Sequence, residues 1–145
     1  MYPHTRFTLR EQIDLALLGV NATVGLSYNI AYVLGVHFRS GEWGRRRCGS
    51  VVTTVHGGRS RYCIVHKFVR VGDRDFACVE WLSRPHYPYA PITVVTRVSL
   101  LPLHRQETMS SMIPLEAIDP TPVLVEPDGR HFYMMRTKGY DRTGA

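Results

Sequence analysis

Between Arg61 and Pro85 the chain reads RYCIVHKFVRVGDRDFACVEWLSRP. Two runs rich in β-branched and aromatic residues, Tyr62 to Val71 and Phe76 to Leu82, flank Gly72-Asp73-Arg74-Asp75, whose residue types favour a tight turn; the stretch predicts a β-hairpin. The same punctuation recurs on both sides. Ser50 to Val55 ends at His56-Gly57-Gly58. Ile92 to Leu100, Met112 to Ile118, Pro122 to Glu126 and Arg130 to Thr137 are separated by Asp119-Pro120, Pro122 and Pro127-Asp128-Gly129. Short strands with a turn signal about every ten residues predict a barrel or sandwich rather than an α/β enzyme fold.

Upstream the pattern changes. Thr8 and Glu11 form a T-x-x-E capping box, and Leu9, Ile13, Ala16, Leu17 and Val20 follow at helical spacing, which predicts an amphipathic helix over residues 9–19. In VGLSYNIAYVLGVHF, residues 24–38, the apolar positions alternate as in a strand, while Leu26, Ile30, Val33 and Leu34 also fit a helix. Gly25 and Gly35 weigh against the helix, so at least part of the segment is expected to be extended. An apolar face left uncovered there becomes an association surface.

With 145 residues the chain is long enough for one domain with a real core and too short for two ordinary ones. It divides into an N-terminal helix and extended segment, residues 1–44, and a β domain, residues 45–142. No apolar run reaches the ~18 residues of a membrane helix, so no membrane partner is expected. Arg10, Glu11 and Asp14 interrupt the stretch a secretory signal would need, and three cysteines (Cys48, Cys63, Cys78) are too few for a disulfide scaffold. An intracellular setting with reduced thiols is expected.

The charge is unevenly placed. Residues 39 to 74 hold nine Lys or Arg against Glu42 and Asp73, a balance of +7 in a chain of net +6, so the remainder is at −1. Such a concentration suits phosphate or an acidic surface, and Arg45, Arg46, Arg47, Arg59 and Arg61 are the candidate contacts.

Signatures of catalysis are weak. Cys63-x-x-His66 is the nearest approach to a zinc spacing, and on a strand those side chains point to opposite faces, so neither a metal nor any other cofactor is expected. His56-Gly57-Gly58 resembles an oxyanion-hole loop, but without a G-x-S-x-G elbow it reads as a tight turn. There is no phosphate loop and no dinucleotide fingerprint. A Cys-His pair built on Cys63 or Cys78 is the remaining enzymatic alternative. Aromatic and charged residues offer a better site: Trp81, Tyr87 and Tyr89 lie close together with Glu80 and Arg84 among them. Aromatic faces near a carboxylate suit a methylated ammonium and also stack on unpaired bases.

VEWLSRP at 79–85 resembles the V-x-W-x-x-R-P signature that ends a hairpin strand in BAH (bromo-adjacent homology) domains. The likeness continues upstream through Cys48 to Thr54 and Tyr62 to Val71, and downstream through MIPLEAI at 112–118 and HFYMMRTKGYDR at 131–142. Leu82 and Ser83 stand where many members carry aromatics, and His86-Tyr87-Pro88-Tyr89 replaces the acidic residues common after the proline. The resemblance implies a small distorted β-barrel (BAH/SH3-like) with an N-terminal helix and no catalytic activity. It also implies a nuclear location and a chromatin protein or nucleosome as partner. The alternative is a small barrel that binds DNA or RNA in general, of the kind a mobile-element protein carries.

Overall fold

The computed structural model describes residues 3–40, 51–56, 58–86, 92–106, 108–121, 123–128 and 131–136. A single long strand organises them. β1 (His4–Arg6) leads into helix α1 (Leu9–Leu17), followed by β2 (Val24–Tyr28), β3 (Ile30–Val33), β4 (Val36–Arg39) and β5 (Val51–His56). The long strand is β6 (Arg59–Val71), with β7 (Arg74–Trp81), β8 (Ile92–Thr96), β9 (Met112–Pro114), β10 (Ile118–Asp119), β11 (Val123–Asp128) and β12 (His131–Arg136) after it.

On one edge β6 pairs with β5 through its first half and with β2 through its second; on the other it pairs with β7, which continues to β9. β1 and β10 complete this seven-stranded sheet, β11-β12-β8 form a second, and β3-β4 stand as a two-stranded ribbon. The mostly-β class and the N-terminal helix are therefore present. Among the described residues the sheets stay open and no barrel closes. Because β1 and β2 belong to the main sheet, the N-terminal segment is part of the same β structure rather than an appendage to it.

Alternation along β6 and β7 separates their side chains into two faces. One face, with Cys63, Val65, Phe68, Ala77, Val79 and Trp81, is covered by Ala31, Val33 and Phe38 of the ribbon. The opposite face meets two different covers. Val69, Phe76 and Cys78 pack against Leu15 of α1 and Phe7 just before it. Tyr62, Ile64 and Leu82 pack against Val95, Val123, Phe132 and Met134 of the second sheet.

The ambiguous stretch 24–38 folds as three strands because Leu34-Gly35 closes a two-residue hairpin, both residues with positive φ (49° and 82°). That conformation matches the twist of the flanking strands, and glycine adopts it without strain. In the central hairpin the loop is shorter than the sequence suggests: Gly72 and Asp73 alone make it, and Arg74 and Asp75 already pair across to β6. Ile92 to Leu100 is strand only to Thr96, then a 3-10 turn over Val98–Leu100. Pro127 and Asp128 likewise pair within β11, opposite Phe132 and His131.

Helix α1 carries the expected capping box: the Thr8 hydroxyl accepts from the Glu11 amide at 3.1 Å, and the Glu11 carboxylate accepts from the Thr8 amide at 2.8 Å. Its orientation is the reverse of the one its apolar stripe predicts. Leu9, Ile13 and Leu17 are 73%, 52% and 79% exposed, while Asp14 and Leu15 are buried.

Candidate functional site

Where β6 runs beside β7 it carries a bulge. Its register against β7 shifts between Val65 and Lys67, so His66 is the extra residue. Bulges re-aim side chains, and here His66 emerges exposed above β7. Along β7 lies a groove made of two adjoining hollows of about 340 and 480 Å³ that share Arg10, Val79 and Ser111.

The groove is lined with charges that neutralise one another. Arg97, just past β8, donates to Glu80 through both Nε (2.8 Å) and Nη2 (2.6 Å), and His66 Nε2 lies 3.3 Å from the same carboxylate. The His66 hydrogen bond, helped by Arg97 and opposed by partial burial, holds the Glu80 carboxyl down at about 2. The hydrogen bond to Glu80, with its charge, in turn raises the pKa of Arg97 against partial burial. Lys67 Nζ lies 3.7 Å from Glu11 and donates to the Thr5 hydroxyl at 3.1 Å. Arg10 donates to Asp14 at 3.0 Å and to the Met109 carbonyl at 2.8 Å.

The residues proposed from sequence are only partly brought together. Trp81 lines the groove but is 9% exposed, belongs to the core and donates its indole N–H to the Ser110 carbonyl at 2.6 Å. It anchors the end of β7 against the 110–111 segment as a core residue, the ordinary alternative to a place in an aromatic cage. Glu80 is engaged by Arg97 and His66, so its carboxylate serves the fold's own ion pairs. Arg84 is exposed beyond the strand end. Tyr87, Tyr89, Arg45, Arg46 and Arg47 lie outside the described residues.

Of the two remaining arginines, Arg59 is exposed at the start of β6. Arg61 is 4% exposed and donates to the Leu82 carbonyl at 3.1 Å, which corrects its assignment as a surface contact. Strand alternation explains the difference: Arg61 shares the inward face with Cys63, two residues on.

Cys63 and Cys78 are buried, and desolvation pushes both thiols up to about 12; Glu11 adds to the effect at Cys78. Neither presents a thiolate at neutral pH. Among the described residues no three His, Cys, Asp or Glu side chains gather as a metal site. No helix of the described residues is long and apolar enough to cross a membrane.

Sequence reasoning missed the residues that complete the groove. Arg97 and His66 meet Glu80 only through strand register and the bulge, neither of which leaves a local signal. Asp14 carried one: a carboxylate four residues after Arg10 on a helix is a natural ion-pair partner. Comparison with family models, with curated proteins and with solved structures finds no match for this chain.

Proposed function

We propose that the chain is a non-catalytic interaction module, BAH-like in kind, that binds a protein component of chromatin in the nucleus. The observation that carries this reading is the reversed helix: the stripe Leu9-Ile13-Leu17 faces solvent, although Leu15 and Leu18 seat α1 on the sheet. Aliphatic side chains at i, i+4 and i+8 are the anchors by which a helix lies in a partner's apolar groove. They present roughly 300 Å² of apolar side chain, so a two-fold pair of such stripes falls short of the ~1,200 Å² of a stable dimer. A different protein with a complementary groove is the better occupant.

Other features support the reading. The second strand of the central hairpin ends at Trp81, within VEWLSRP, the stretch on which the BAH resemblance rests. The two buried thiols lack nucleophilic character, and the charges in the groove are spent on one another. The test is binding to nucleosomes and to matched free DNA, each across a salt series. Tighter and less salt-dependent binding to nucleosomes is expected; equal and steeply salt-dependent binding to both would reduce the function to phosphate contact.

A further inference from the structure

The β3-β4 ribbon has one face buried and one face that no described residue covers. Ala31, Val33 and Phe38 point into the core, while Ile30, Tyr32, His37 and Arg39 share the outward face, paired Ile30 with Arg39 and Tyr32 with His37. Tyr32 is 66% exposed, a large value for an aromatic on a strand, and its ring lies 5.3 Å from the His37 ring, tilted by 42°. Arg39 is exposed and makes no ion pair among the described residues. None of the four outward residues is acidic.

At the tip, Leu34 is 87% exposed and holds a φ of 49°. A leucine there carries left-handed backbone strain, and at 87% exposure it gains little packing from the described residues. Strain kept at an exposed position points outward, to something the tip meets.

We propose that this ribbon is a contact for single-stranded nucleic acid: an unpaired base stacks on Tyr32, with His37 backing the ring, and Arg39 takes a neighbouring phosphate. Leu34 extends the apolar surface past the stacking ring at the hairpin end. Charge selects this occupant, since among the described residues of the ribbon's outward face an arginine and a histidine flank the aromatic and none is a carboxylate, and every base offers a π-face. The proposal rests on the chain being an interaction module and adds a second surface to it, distinct from α1. Stacking does not depend on the sugar, so DNA serves as the probe.

The experiment is fluorescence anisotropy with a labelled mixed-sequence 20-mer, single-stranded and as its duplex, using the full chain. The single strand should bind more tightly than the duplex. Tyr32→Ala should weaken single-strand binding between roughly 5- and 150-fold, Tyr32→Phe should restore it, and Arg39→Ala should flatten the salt dependence. Unchanged thermal unfolding in each variant identifies the effect as local. Equal affinity for both probes, no single-strand binding, or a Tyr32→Ala variant that binds as the parent does would overturn the assignment. Nucleosome binding retained in Tyr32→Ala would leave the module reading standing while the ribbon is judged on the oligonucleotides alone.

Discussion

Asp14 and Ser111 are ninety-seven positions apart and joined twice: Asp14 Oδ2 accepts from the Ser111 amide at 2.8 Å and from its hydroxyl at 2.7 Å. The same oxygen takes Arg10 Nε at 3.0 Å. This cluster fixes the rotation of α1, because the residue held inward is a carboxylate with three donors waiting for it. Given that anchor, Leu9, Ile13 and Leu17 can only point away.

Removing the anchor should be costly. Asp14→Ala leaves the Ser111 N–H and Arg10 without their acceptor, and a loss of about 2–3 kcal/mol is expected in chemical denaturation. Burial pushes the Asp14 carboxyl up, but the Ser111 side-chain and backbone donors and Arg10 outweigh it, and its pKa falls below the ordinary 3.8. The stabilisation is therefore complete above the ordinary value and disappears as pH falls through the lowered one. Equal stability of variant and parent at neutral pH would contradict the role given to Asp14.

Glu80 provides a second pH signature. Its pKa is lowered from 4.5 to about 2, so its contribution is present above about 4.5 and is lost as acid brings the pH down towards 2. Glu80→Gln should cost about 1–2 kcal/mol at pH 7, the part-exposed setting reducing what a charged pair contributes. In urea titrations at stepped pH, the gap between parent and variant should close between pH 4.5 and 2. A gap independent of pH would mean that packing, rather than charge, holds the groove.

Gly25 stands where the Phe7 ring and the β6 backbone leave no space. A Cβ built there would lie 2.7 Å from Phe7 Cζ and 3.0 Å from the Arg70 carbonyl oxygen. Phe7 is buried and the second neighbour is backbone, so neither moves freely. Gly25→Ala should destabilise by about 1–3 kcal/mol, measured as a lower denaturation midpoint at constant slope.

The ribbon tip should behave in the opposite sense. Leu34→Asn creates an Asn-Gly turn, the sequence that favours positive φ at both positions. A gain of about 1 kcal/mol is expected from relief of the left-handed leucine, visible as a raised Tm. A drop in stability would show that Leu34 has packing partners.

Local chemistry made much of the fold legible and little of the site. The capping box, the Gly72-Asp73 turn and the β-branched runs each act within a few residues, and each lies close to where it was expected. The direction of α1 did not follow from its pattern, because one buried carboxylate with distant partners outweighs three leucine-like side chains. Residues 24–38 hid a hairpin, since Leu34-Gly35 lacks the Asn or Asp that usually marks one. Arg61 read as surface because it is charged, while strand parity put it inside. The groove depends on a bulge at His66 and on register between β7 and Arg97, which only the folded chain brings together.

The claim that the outward face of α1 receives a chromatin protein is tested most directly by the nucleosome affinity of Leu9→Ala/Ile13→Ala/Leu17→Ala. Alanine preserves the helix, and all three positions are more than half exposed, so thermal unfolding should match the parent. Affinity at least ten-fold weaker, with free-DNA binding unchanged, is the predicted result. Unaltered nucleosome affinity in this folded variant would contradict the account.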